Sequence, residues 1–109
     1  MARVSEEFRE ILAEEIPKLK DPRVGFVTVT AVVVTPDLKK ARVSYSVLGD
    51  DKAKKGTRAA LRSARPHLRS VVGHQVRLKF LPDLVFEEDQ SAEHADRITQ
   101  LLKEAERHD

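Results

Sequence analysis

Apolar residues recur with two different periods along this chain, and each change of period predicts a new element. Near the N-terminus they follow the helical pattern i, i+4, i+7, which predicts a helix over about residues 5–16 with Ser5 as its N-cap. Pro17 interrupts the pattern, so we expect an irregular last turn as far as Lys20, ended by the Asp-Pro pair at 21–22.

Between residues 25 and 47 the apolar positions alternate, as they do in strands with one buried face. The pattern predicts a first strand over 25–35 and a second from Lys40 onward. The Pro-Asp turn at 36–37 joins them as an antiparallel hairpin. The residues expected to face the core are Val27, Val29, Ala31 and Val33 in the first strand and Ala41, Val43, Tyr45 and Val47 in the second.

The middle of the chain predicts an amphipathic helix centred on residues 57–73, with an N-cap in the Asp pair at 50–51 and a C-cap at Gly73. Pro66 lies inside it and lacks the N–H that a helix needs, so the expectation is helix, kink, helix. Two interpretations of the kink stay open. It could wrap the helix around the core, or it could free backbone N–H groups for phosphates.

After the helix, alternation over 76–81 predicts a third strand, followed by a short segment at 84–86 and an acidic loop at 87–89. Ser91 is placed to cap a peripheral last helix at about 92–107. The order α, β, β, α-kink-α, β, α predicts a single α+β domain with helices on one face of a three-stranded sheet. All five aromatic residues fall on periodic apolar positions and are expected in the core: Phe8, Phe26, Tyr45, Phe80 and Phe86.

Charge is strongly segregated behind a net value of only +2. Residues 52–82 contain nine basic residues and no acid, so this segment carries +9 and the rest of the chain −7. Four arginines in it are spaced 4, 3 and 4 and therefore share one helix face; we call Arg58, Arg62, Arg65 and Arg69 the arginine stripe.

A charged helix face is usually only a solvated face, but such faces normally mix signs to gain ion pairs. A face made of arginine alone repels itself unless an anion compensates, and the planar guanidinium suits phosphate oxygens. The sequence therefore predicts a nucleic-acid contact. Its candidate residues are Lys54, Lys55, Arg58, Arg62, Arg65, Arg69, Arg77 and Lys79.

Catalytic constellations are not evident in the sequence. It has no phosphate-binding glycine loop and no cysteine, and its four histidines lack the spacing of metal ligands. We therefore expect a protein that is not an enzyme, with no cofactor, metal or small-molecule substrate. The N-terminal residues do not resemble a signal peptide and no apolar run could span a membrane, which predicts a cytoplasmic location.

Four segments occur in a recognisable order: 20–25 (KDPRVG), 34–41 (VTPDLKKA), 78–84 (LKFLPDL) and 89–98 (DQSAEHADRI). Together they resemble the bacterial ribosome-binding factor A family over about residues 3–102. The resemblance implies a type II KH-like domain, here 1–109, in which a helix-kink-helix with an Ala-x-Gly interruption replaces the usual GxxG loop. Ala64, Arg65 and Pro66 occupy that interruption, so proline stands where the family has glycine.

The resemblance also implies a function: a monomeric assembly factor that binds the free, immature small (30S) ribosomal subunit and its 16S rRNA. It further implies a part in late maturation, including processing of the rRNA 5′ end, and in growth in the cold. Two alternatives stay open on the residues alone. One is a general KH-like nucleic-acid binder without a ribosomal role, and the other is a module whose basic helix docks on an acidic protein.

Overall fold

The computed structural model describes residues 2–89. A three-stranded sheet in the order β1-β2-β3 carries two helices on one face, which confirms the predicted α+β class. The last predicted helix, at about 92–107, lies outside the described residues. The elements are α1 (Ala2–Glu15), a 3₁₀ turn (Ile16–Lys18), β1 (Phe26–Val34), β2 (Lys40–Leu48), α2 (Asp51–Val76) and β3 (Asp83–Glu88).

Helix α1 begins earlier than its sequence pattern indicated, and the prediction that Ser5 is its cap is wrong. Ser5 lies within the helix, and its hydroxyl accepts a hydrogen bond from the Val34 backbone N–H at 3.1 Å, at the end of β1. Pro17 occupies the first turn of the 3₁₀ segment, where its missing N–H costs little. Phe8 and Leu12 are fully buried on the sheet.

The hairpin forms as predicted, but a β-bulge between Val29 and Ala31 reverses the phase of β1. Val29 faces the core before the bulge, whereas Val32 and Val34 face it afterwards. The prediction that Ala31 and Val33 face the core is therefore wrong, since both are exposed. In β2 the predicted set is buried throughout: Ala41, Val43, Tyr45 and Val47.

Helix α2 is a single helix that contains Pro66, rather than two separate half-helices. The side chain of Asp50 caps it and accepts a hydrogen bond from the Ala53 N–H at 2.8 Å, as the Asp pair predicted. The predicted end at Gly73 is wrong, because the helix continues to Val76 and ends at Arg77 in the left-handed conformation. A bend of the axis at Pro66 stays a prediction.

The third strand is Asp83–Glu88, and the prediction of a strand over 76–81 is wrong. Residue 76 still belongs to α2, and the chain from Arg77 to Pro82 is an irregular loop. Strand β3 pairs in parallel with β2, and α2 forms the crossover between them. The predicted acidic loop is wrong at Glu87 and Glu88, which lie within β3.

A small polar junction fastens the loop before β1 to the start of α2. Thr57 is fully buried, accepts a hydrogen bond from the Gly25 N–H at 3.0 Å and lies 3.4 Å from the Arg23 carbonyl oxygen. A side chain at Gly56 would lie 3.3 Å from that same oxygen, so the close approach favours glycine. Within residues 2–89, neither helix has the length and apolar character to span a bilayer.

Candidate nucleic-acid interface

A shallow groove runs between α2 and β3 on the side of the arginine stripe. Its space is about 140 Å³, and three guanidinium side chains form its basic wall. The other wall is apolar and comes from β3. We call it the arginine groove, and it is lined by Arg58, Arg62, Arg65, Val85 and Phe86.

Arg58 is held in this groove by groups on the sheet. Its guanidinium lies 3.6 Å from the carboxylate of Glu88, whose side chain is only 11% exposed, and it interacts electrostatically with Tyr45. Burial raises the pKa of Tyr45, while the nearby positive charge of Arg58 acts in the opposite direction. Phe86 packs edge-on against the Tyr45 ring, with centroids 6.4 Å apart. Arg58 therefore has an acidic partner within the fold, although its own side chain is 54% exposed.

Arg62 and Arg65 are exposed, and residues 2–89 provide no carboxylate to pair with either. Two neighbouring cations that residues 2–89 leave without a counter-ion, next to a third that is paired with Glu88, favour an anion with several oxygen atoms spaced along the helix. The phosphates of a nucleic-acid backbone have this character.

Arg69, the last member of the stripe, has a different role. Its guanidinium donates hydrogen bonds to the carbonyl oxygens of Leu81 at 2.8 Å and Pro82 at 3.3 Å, and it lies 3.7 Å from the carboxylate of Asp83. Two of the five N–H donors of Arg69 thus hold the loop after α2. We call residues 77–82 the aromatic loop.

The other candidates lie at the two ends of α2. Lys54 and Lys55 belong to its first turns, while Arg77 and Lys79 lie in the aromatic loop and are exposed. The structure therefore brings Arg58, Arg62 and Arg65 together and leaves the remaining five outside the groove: Lys54, Lys55, Arg69, Arg77 and Lys79.

Two features of this surface were missed by the sequence analysis. Glu88 was placed in a solvated loop, because three consecutive acids are typical of loops, yet it pairs with Arg58. Phe80 was placed in the core but is 71% exposed, and Phe26 is likewise 80% exposed, so both predictions are wrong. Pro82 and the acid after it signalled that the chain turns just beyond Phe80, which could have indicated a loop.

Among the residues that the structure describes, no group of three or more histidine and carboxylate side chains could hold a metal ion. Glu87 is paired to Arg42 at 3.0 Å on the opposite side of the sheet.

The whole sequence can be compared with known proteins. A family model described as Ribosome-binding factor A matches residues 1–102. The chain belongs to the ribosome-binding factor A family. It is 49% identical over 105 residues to ribosome-binding factor A of Geobacter sulfurreducens, covering 95% of this chain and 89% of that protein.

Solved structures of ribosome-binding factor A share the fold. The crystal structure of the Thermus thermophilus protein superposes with a TM-score of 0.72 at 31% identity and covers 80% of this chain and 93% of that one. A homology model of the Thermus thermophilus protein, fitted into a cryo-EM map of its complex with the 30S subunit, gives a TM-score of 0.71 at 30% identity. That match covers 84% of this chain and 97% of the fitted one.

Proposed function

We propose that this protein binds the small ribosomal subunit and contacts 16S rRNA through the arginine groove. The observation that carries the proposal is the exposed pair Arg62 and Arg65 beside Arg58, in a helix with no acid after its first residue. The Thermus thermophilus relative in complex with the 30S subunit supports the same partner. The protein acts by binding and not by catalysis.

The proposal extends to the stage at which binding occurs. We infer a role in late maturation of the small subunit, including formation of the 16S rRNA 5′ end, which becomes most important in the cold. Low temperature stabilises misfolded RNA helices, so a factor that holds one RNA arrangement has its largest effect there. Cells that lack the protein should then accumulate small subunits with unprocessed 5′ ends at low temperature, and normal processing would contradict this part.

The test of the groove is to replace Arg62 and Arg65 together by Gln. Because each neutralised phosphate releases condensed counterions, the logarithm of affinity for the subunit falls with the logarithm of salt by about 0.7 to 0.9 per contact. We expect the double variant to flatten that slope by roughly one and a half units and to leave the subunit at moderate salt in sucrose gradients.

A matched control replaces Lys18 and Lys20 by Gln, which removes the same charge from the turn that follows α1. This control should keep the wild-type salt slope and co-sedimentation. If both double variants behave like the wild type, the stripe is a solvated face. If the wild type binds unrelated RNA equally well and never co-sediments with small subunits, the general nucleic-acid binder is the correct interpretation.

A further inference from the structure

The aromatic loop exposes a large apolar ring, and the residues that follow this ring are anchored to the fold. Leu81 is partly buried against Gly73, where an added Cβ would lie only 2.6 Å from a Leu81 side-chain carbon, so the loop follows the helix closely. Pro82 is buried, and the Asp83 N–H donates to the Lys39 carbonyl oxygen at 2.9 Å. Immediately before these anchors, Phe80 is 71% exposed.

The surroundings of this ring are basic. The Lys79 ammonium lies 5.6 Å from the centre of the Phe80 ring, within the range of a cation–π contact. Arg77 precedes them in the loop, and the exposed Lys39 and Lys40 lie where the loop joins the sheet. Asp83, the nearest acid in sequence, lies near Arg69.

The loop also lies on the same side of α2 as the arginine stripe, since Arg69 belongs to the stripe and donates to the Leu81 carbonyl. From Arg65 to the end of α2 the helix advances about 16 Å, which corresponds to a few nucleotides of extended RNA. One strand following the stripe would thus reach the ring.

We propose that Phe80 stacks on an unpaired base of the same RNA strand whose phosphates occupy the arginine groove. The inference rests on the proposed function and adds to it the kind of RNA that is recognised: a single-stranded segment rather than a continuous duplex. Stacking on an aromatic side chain tolerates any base, so Phe80 contributes affinity, while sequence is read elsewhere.

The first experiment uses fluorescence, because the chain contains no tryptophan. In Phe80→Trp the indole replaces the proposed stacking ring. Titration with a single-stranded oligoadenylate of about ten nucleotides should quench its emission, because a stacked base lies against it. Phe26→Trp is the matched control, since Phe26 is similarly exposed but lies at the far end of the hairpin beside Leu48, and its emission should not change.

The second experiment separates stacking from charge. Phe80→Ala should weaken binding of the oligoadenylate at least about fivefold, the lower end of what loss of one stacked base costs, without changing the salt slope. Phe80→Tyr should bind like the wild type. Lys79→Gln should instead reduce the slope by about 0.7.

Several results would overturn the inference: an unquenched Phe80→Trp, an affinity of Phe80→Ala equal to that of the wild type, or quenching by intact small subunits but not by their protein-free RNA. The last result would place Phe80 on a ribosomal protein. If the Arg62 and Arg65 variant loses RNA while Phe80→Ala does not, only the stacking fails. If neither variant differs from the wild type, the proposed function fails as well.

Discussion

Arg62 and Arg69 carry the same side chain on the same helix face, yet their surroundings differ. Arg62 lines a groove that residues 2–89 leave without a counter-ion for it, whereas Arg69 donates to two backbone carbonyl oxygens of the aromatic loop. One stripe therefore contains an arginine that contacts the fold and an arginine that has no ion pair within residues 2–89.

Replacing Arg69 by Gln should lower the free energy of unfolding by about 1–2 kcal/mol, because the Leu81 and Pro82 carbonyls lose a charged donor in a partly buried position. Arg62→Gln should change it by less than about 0.5 kcal/mol, as is usual for an exposed side chain. Urea unfolding of both variants checks this. Equal stabilities would mean that the hydrogen bonds to the loop contribute nothing.

Thr57 provides a second prediction at this scale. Thr57→Val keeps the shape of the side chain but leaves the Gly25 N–H without its acceptor, at a buried position. We expect a loss of about 1–3 kcal/mol in the free energy of unfolding. Thr28→Val, at an exposed position of β1, is the control and should be nearly neutral. A neutral Thr57→Val would show that water replaces the hydroxyl.

The sequence predicted individual residues well where one period continued and poorly where it changed. Alternation placed Ala41 and Tyr45 in the core because β2 is regular. It misplaced Val33 because the bulge in β1 inserts one residue, which has no marker in the sequence. The sequence also could not show that Arg62 and Arg69 have different contacts. The carbonyl oxygens that accept from Arg69 belong to a loop whose course depends on tertiary packing.

At the scale of elements, α2 combines a proline with an uninterrupted helix. Pro66 is exposed and removes the hydrogen bond that would otherwise reach the Arg62 carbonyl. The structure retains the helix because buried residues on both sides of Pro66, Leu61 and Leu68, anchor it to the sheet.

We therefore expect Pro66→Ala to raise the free energy of unfolding by about 1–2 kcal/mol. The gain is smaller than the full helix penalty of proline because alanine also increases the conformational entropy of the unfolded chain. The thermal midpoint should rise accordingly. Hydrogen exchange should then show a protected amide at position 66. A fall in stability would indicate that the core is built around the proline.

The third strand shows why elements can be misassigned. Residues 76–81 alternate as a strand does, but the same apolar positions also continue the helix to Val76 and anchor the loop through Leu81. The parallel partner of β2 is instead 83–88, whose acids are typical of a loop. These acids are accommodated because Glu87 and Glu88 pair with arginines on two different elements.

For the whole molecule, the segregation of charge persists in three dimensions on the two helices: α2 carries the arginine stripe, and α1 carries Glu7 and Glu10 at exposed positions. An acidic helix next to a basic one discourages polyanions from wrapping around the molecule.

Replacing Glu7 and Glu10 by Gln should thus raise affinity for unrelated RNA more than affinity for the small subunit. Both affinities can be measured at the same salt concentration, with the Lys18 and Lys20 double variant as the opposite change of charge. Equal gains in affinity for unrelated RNA and for the small subunit would show that these acids do not restrict binding. Glu87 and Glu88 are unsuitable for the test because both are paired.

The parallel pairing of β2 with β3 also dictates an order of events as the chain folds. The hairpin can close locally, but β3 must wait until residues 49–82 have been made and α2 has crossed the sheet. Among the described elements, we expect β3 to dock last. Its docking brings the groove residues Val85 and Phe86 into place, together with the Glu88 carboxylate that pairs with Arg58. A growing chain therefore presents its arginines on a helix without a groove, and the RNA contact that we propose for this groove can form only when synthesis has passed β3.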